Sequence, residues 1–206
     1  MMNPGAIRVL LADDEELIRT AIAALLGLEP DLEVVAQAGD GRGAVDAAVA
    51  HRPDVAVVDL EMPGLDGIAV AAELATAAPS CAVVILTGHG RPPHLQRALA
   101  AGAKGFLPKG SPGGTLADVI RRVHHGARYV DPALAADALT ARPCPLTPRE
   151  LDVLQAAGAD TPVAAVARRV HLSQGTVRNH LAAITAKLAV PTRAEAYRTA
   201  QEQGWI

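Results

Sequence analysis

Asp13 and Asp14, Asp59, Thr87 and Lys109 share one placement, at the carboxyl ends of the apolar runs IRVLLA, VAVV, CAVVIL and GFLP. Carboxylates brought together repel one another and drift toward protonation unless a cation shares the site. Three aspartates therefore call for a hard divalent ion, and Mg²⁺ fits because it takes few carboxylates and keeps water positions for a phosphate ligand. Asp59 is placed to attack a phosphoryl group, the Lys109 ammonium to pair with the added dianion, and the Thr87 hydroxyl to donate to a phosphoryl oxygen. An aspartyl phosphate adds roughly one to two negative charges, enough to reposition a nearby loop.

Such residues act together only if the fold gathers them. Short apolar runs alternating with helical periodicity are the pattern of parallel strands in an open α/β sheet, whose sites form beyond the strand carboxyl ends. Strands are expected at 6–12, 32–38, 54–58, 82–86 and 104–107, with helices at 15–27, 42–50, 66–77, 92–101 and 113–125. Five of each make a flavodoxin-like (βα)5 domain over residues 1–125. Taken singly, Asp13 or Asp14 could cap the next helix, Phe106 could be core, and a lone lysine is usually solvated. Five residues of suitable type at strand ends together outweigh these readings.

After Gly126 the periodicity weakens, and residues 126–145 are expected to be a linker with one short helix near 132–139 that uses Pro132 in its first turn. Residues 146–206 are wholly helical in pattern, with helices at 148–157, 162–169, 174–188 and 192–203. Thr147, Pro148 and Glu150 form a capping box, and Thr161 and Ser173 precede the next two helices. The helix after Ser173 carries Val177, Leu181, Ile184 and Leu188 on one face, with Arg178, Ala182 and Thr185 on another beside Gly175 and Asn179. The helix before it and the VHLS turn complete a helix-turn-helix, whose second helix suits a DNA major groove. Arg178 can pair with guanine and Asn179 with adenine, while Ser173, Thr176, Lys187 and Arg193 are placed to reach phosphates. His180 serves equally well as a phosphate contact or as packing.

The charge agrees with this division. Residues 1–140 hold 11 Lys+Arg against 17 Asp+Glu, or -6, and residues 141–206 hold 8 against 5, or +3, giving the whole chain's -3. A basic last part suits a polyanionic partner. No apolar stretch reaches the roughly 18 to 20 residues of a spanning helix, and Met1 opens no signal segment, so a cytoplasmic protein without a membrane partner is expected. The two cysteines have no zinc-binding spacing.

The segments LLADDEELIR, VVDLEMPGLDGIAVAAEL, ILTGHG and AGAKGFLPKG resemble the signature of bacterial response-regulator receiver domains, over about residues 6–124. The resemblance implies that Asp59 is the phosphoacceptor. It further implies that Asp14, Asp59 and the Glu61 backbone carbonyl bind Mg²⁺ directly, and that Asp13 acts through water. Thr87 and Lys109 would bind the phosphoryl group, and Phe106 stands at the aromatic switch position. Glu61 and His89 occupy cleft-edge positions that tune dephosphorylation in such domains. Many receivers follow the lysine with proline, whereas here Pro108 precedes Lys109 and GSPGG follows, so residues 110–114 are expected to be a flexible entry to the fifth helix.

Residues 146–206 resemble the LuxR-type DNA-binding domain, above all in LTPRE, LSQGTVRNHL and KLAVPTRAEA. Receiver and tail together resemble the NarL/FixJ class, and RYVDPALAADAL with the terminal GWI is most similar to its subgroup that includes regulators of lipid desaturase genes. The class implies phosphorylation by a sensor histidine kinase, homodimerisation, binding to paired half-sites on DNA and no enzyme activity of its own. Two departures stand out: Pro162 to Ala167 lacks the acidic residue common in the first helix of the motif, and Ala182 replaces a frequent lysine. The rival readings are a regulator whose receiver is vestigial and a Mg²⁺-dependent phosphatase with an aspartate nucleophile. The phosphatase is disfavoured because Asp59 lacks an Asp-x-Asp partner, although Glu61 stands two residues on.

Overall fold

The computed structural model describes residues 5–88, 92–140 and 144–206, which form two compact units, Met1–Leu139 and Thr140–Ile206. His89 lies outside the described residues. In the first unit the elements run β1 (Ile7–Ala12), α1 (Glu16–Leu26), β2 (Leu32–Ala38), α2 (Gly41–His51), β3 (Val55–Asp59), α3 (Gly67–Ala77), β4 (Ala82–Thr87), α4 (Pro92–Ala100), β5 (Gly105–Pro108), α5 (Gly113–His124), β6 (Tyr129–Val130) and α6 (Pro132–Thr140). The sheet order is β2-β1-β3-β4-β5-β6, parallel throughout. The expected flavodoxin-like arrangement is present.

Alternation along the strands explains why helices cover both faces. Leu10, Ala56, Val58, Ile85 and Phe106 join one core with residues of α2, α3 and α4. Val9, Leu11, Val57, Leu86 and Leu107 join another with Leu26 of α1 and Leu116 and Ile120 of α5. With strands buried on both sides, their polar residues collect at the carboxyl ends, where the chain leaves the sheet.

A sixth strand extends the five expected. The Tyr129 N–H donates to the Lys104 carbonyl at 2.8 Å and the Asp131 N–H to that of Phe106 at 3.0 Å. The Asp131 side chain then accepts from the amides of Ala133 and Leu134 at the start of α6, and Leu134 and Ala138 pack on the sheet core. Two residues are too few to show an alternating pattern, so this strand is invisible to periodicity.

The second unit contains α7 (Pro148–Ala157), α8 (Val163–Arg169), α9 (Gln174–Leu188) and α10 (Arg193–Glu202). Thr147 and Glu150 form the capping box expected, and Ser173 accepts from the Thr176 amide. One core joins α7, α8 and α9 through Val153, Val166 and Val177. A second joins Leu146, Leu154, Ile184, Ala196 and Trp205, so the terminal Gly-Trp-Ile closes the bundle, with Gly204 in the left-handed region at φ 69.

Gly67 begins α3 just after the Asp59 strand. A Cβ there would lie 2.2 Å from the Asp59 carbonyl oxygen and 3.0 Å from its carbon, and neither backbone atom can swing aside. Gly67→Ala is expected to destabilise the first unit by about 1–3 kcal/mol, the usual penalty of overpacking. Gly114→Ala, whose Cβ would meet nothing within 4 Å on α5, should leave it unchanged or slightly firmer. Denaturant midpoints of the full chain decide the matter, and equal midpoints for the two variants would refute this account of Gly67.

Candidate functional site

The sheet brings the expected residues to one edge. Asp59 ends β3 opposite Leu86 of β4, Thr87 ends β4 opposite Pro108, and Asp13 and Lys109 follow directly on β1 and β5. The Lys109 N–H donates to the Thr87 carbonyl at 2.8 Å, which fixes the level at which the lysine leaves the sheet. Its Nζ lies 2.9 Å from Asp13 Oδ2, 3.0 Å from Asp59 Oδ2 and 3.2 Å from Glu15 Oε1. Asp13 and Asp59 are buried, Asp14 is exposed, and carboxylate oxygens of the three lie within 4.8 Å of one another. Asp14, Glu15, Asp59, Glu61, Gly88 and Lys109 line an open cleft of about 300 Å³.

Burial pushes the Asp59 carboxyl above its ordinary value, against the pull of Lys109, and the Asp13 carboxylate adds to the rise. Burial alone would lower the Lys109 pKa, but Asp13 and Asp59 outweigh it and hold the ammonium charged. Asp13 anchors the corner: its Oδ1 accepts from the Glu15 amide at 2.9 Å and its carbonyl from Arg19. Its buried Oδ2 meets Lys109 only as an ion pair, without an aligned hydrogen bond. One ammonium among Asp13, Asp14, Glu15 and Asp59 leaves an anionic excess. A hard divalent cation fits that donor set of carboxylate oxygens.

Thr87 and Phe106 are fully buried in this structure. Phe106 packs in the core shared with Leu95 and Ala98 of α4. Its neighbours there are apolar, and Ile85 stands opposite it on β4.

The second unit presents a helix-turn-helix of α8, the turn 170–173 and α9. Val177 and Ile184 are buried, while Arg178, Asn179 and Ala182 are exposed, and Thr176 and His180 are half-buried. Lys187 and Arg193, expected at phosphates, are held by protein partners. Lys187 Nζ lies 2.7 Å from Glu150 Oε2, and Arg193 donates to the carbonyls of Ala159 at 3.1 Å and Thr161 at 2.7 Å. Glu150 Oε2 also accepts from the Thr147 amide and hydroxyl. The capping box was legible in LTPRE; its tie to Lys187 joins residues 37 apart and carries no local signal. Arg168 and Arg169, exposed at the end of α8, were not among the expected contacts.

A family model for the response regulator receiver domain matches residues 9–121, and one for bacterial regulatory proteins of the luxR family matches residues 144–200. The chain belongs to the NarL/FixJ class of response regulators. It is 40% identical to the transcriptional regulatory protein DesR of Bacillus subtilis over 200 residues, covering 97% of this chain and 99% of DesR. UhpA of Escherichia coli is 35% identical over 199 residues, covering 97% of this chain and all of UhpA. Among solved structures, the response regulator ChrA of a heme-sensing two-component system is 32% identical, with a TM-score of 0.58 over 98% of this chain and 100% of that one. The RcsB–DNA complex, at 21% identity and a TM-score of 0.66 over 96% of this chain and 98% of that one, shares the fold. The chain is thus a two-component response regulator with a receiver domain and a LuxR-type DNA-binding domain. No helix among the described residues is long and apolar enough to cross a membrane.

Lys187, first among the causes, and the Thr147 amide hold the Glu150 carboxyl down to about 2 from an ordinary 4.5. A depressed carboxylate stabilises the fold above its unfolded pKa and loses that contribution as pH falls through the folded one. The second unit of the full chain should therefore weaken between about pH 4.5 and pH 2, and Glu150→Gln should flatten that stretch of its denaturation profile. Parallel profiles for the two proteins would show that the pair does not stabilise the unit.

Proposed function

We propose that the chain is switched by phosphorylation of Asp59. The reading is carried by Lys109 standing 2.9 Å from Asp13 and 3.0 Å from Asp59, beside the exposed Asp14. An Asp59 oxygen attacks the phosphorus of a phosphohistidine on a sensor kinase, the P–N bond breaks and the imidazole leaves. Asp14, Asp59 and the Glu61 carbonyl would hold Mg²⁺, with Asp13 acting through water, and the ion when bound would neutralise charge on the phosphoryl oxygens. Lys109 and the Thr87 hydroxyl take up the phosphoryl oxygens, and Phe106 answers the movement of Thr87. The chain transmits this charge rather than turning over a substrate, and it works in the cytoplasm, where kinase and DNA are both within reach.

Dimerisation is assigned to α1. Leu17 is 82% exposed, Leu25 49% and Leu28, just past the helix, 79%, and the exposed Ala21 and Ala24 join them at helical spacing. An apolar stripe of this length on a surface helix is the mark of a contact face. On DNA, Arg178 and Asn179 read base edges from the open face of α9, and Ser173, Thr176 and His180 meet the backbone, helped by Arg168 and Arg169. Lys187 and Arg193 contribute by fixing α9 and the α7–α8 turn against the rest of the unit.

Acetyl phosphate with Mg²⁺ should place one phosphoryl group on the wild type and none on Asp59→Asn, and should tighten wild-type operator binding about tenfold, a common scale for coupled sites. Binding that is equal for both proteins, with and without phosphodonor, would establish the vestigial-receiver reading instead. Arg178→Ala should cost about 1–3 kcal/mol of specific binding. The double change Leu17→Arg and Leu28→Arg should leave the phosphorylated protein monomeric in sedimentation, and an undiminished dimer would place the contact elsewhere.

A further inference from the structure

We infer that Glu15 is a positioning residue that competes for the Lys109 ammonium from the cleft mouth and so slows the loading of Asp59, an inference that rests on reading Asp59 as the phosphoacceptor. An ammonium has three donors, and Lys109 has three carboxylates around it: Asp13, Asp59 and Glu15. They differ in setting. The side chains of Asp13 and Asp59 are only 4% exposed, whereas that of Glu15 is 61% exposed. Glu15 also stands at the N-cap of α1, where a side chain commonly accepts from the helix amides. It makes no such bond; its carboxylate meets the Lys109 ammonium at 3.2 Å. Its backbone is fixed meanwhile, because its amide donates to Asp13 Oδ1.

A phosphoryl group on Asp59 brings oxygens that need the Lys109 donors. Releasing Asp13 would strand a buried charge, which is expensive, while releasing Glu15 returns an exposed carboxylate to water. Asp59 gives up its own carboxylate charge when its bond to phosphorus forms, so of the two partners that remain Glu15 is the one that the incoming phosphoryl oxygens displace. It competes for the same ammonium and, as a wall of the cleft with Asp14 and Glu61, adds to the negative potential that an anionic donor must approach.

The test uses the full chain at saturating Mg²⁺, with beryllofluoride binding read by titration calorimetry and phosphoryl uptake from acetyl phosphate as a second readout. At low salt, Glu15→Gln should bind beryllofluoride about threefold more tightly than wild type, the scale of an exposed ion pair, and take up phosphoryl faster by a similar factor. The gain should fade near 1 M salt, where screening acts within about 3 Å. Glu16→Gln removes the same charge one residue on, also from an exposed position, and should change affinity far less. The inference is overturned if Glu15→Gln binds no more tightly than wild type, if its gain persists at 1 M salt, or if Glu16→Gln matches it. Equal binding by wild type and Asp59→Asn would instead overturn the underlying reading of Asp59.

Discussion

The crowding of carboxylates around one half-buried lysine governs the first unit. Asp13 and Asp59 are each about 4% exposed at the side chain, and Lys109, at 12%, pairs with both. In such a setting an isolated charge is costly and a paired one tolerable only with good geometry, so each strand end must stand in fixed register with the next. The parallel sheet supplies that register: β1, β3, β4 and β5 end at one level because their hydrogen bonds lock neighbour to neighbour. Two-faced burial of the strands supplies the rigidity. The site is thus a property of the whole sheet, which is why a glycine such as Gly67, pressed against the Asp59 backbone, belongs to its construction as much as the charged residues do.

The second unit meets a similar problem with the opposite emphasis. Glu150 is buried, and its Oε2 is met by the Thr147 amide and hydroxyl at the cap of α7 and by Lys187 near the end of α9. One carboxylate therefore joins the start of one helix to the end of another and restrains how α9 can roll. Arg193 does the same for the α7–α8 turn through the carbonyls of Ala159 and Thr161. Two basic residues are spent on internal order, which concentrates the free charge of α9 on Arg178. A helix held in this way presents Arg178 and Asn179 with a defined spacing, and bidentate base contacts demand such spacing more than they demand net charge.

What was legible in the sequence divides along the same physical line. Strand ends, helix caps and the apolar faces of α9 are local patterns with a period of two or 3.6, and the expected segments coincide with the observed ones to within a residue or two at most boundaries. Asp13, Asp14, Asp59 and Lys109 were findable because each closes a run of apolar residues. Contacts between distant positions were not. Lys187 and Glu150 are 37 residues apart and Lys109 and Glu15 are 94 apart, and a surface lysine in the sequence looks the same whether it faces a phosphate or a carboxylate. The strand β6 escaped for another reason: its two residues are ordered by hydrogen bonds to Lys104 and Phe106 rather than by any pattern of their own.

If Asp59 is phosphorylated as proposed, the burial of Thr87 and Phe106 sets what kind of response the first unit can make. A ligand shifts a conformational equilibrium only by its differential affinity for the two states. A new dianion at the cleft distinguishes states sharply if one of them brings a hydroxyl and an ammonium to it. Thr87 is fully buried, and so is Phe106 two strand positions before the end of β5, packed with Leu95 and Ala98 of α4. Close-packed side chains do not deform by degrees; they exchange between discrete arrangements. Any movement of Thr87 toward the cleft opens space beside Ile85, the β4 residue registered against Phe106, and the ring either fills that space or leaves a void. The scarcity of aromatics sharpens the choice, because Phe106 is the chain's one phenylalanine and the surrounding core is aliphatic. Under the proposed phosphorylation of Asp59, a single large rigid side chain among small ones would convert a graded electrostatic pull into a two-state change of packing.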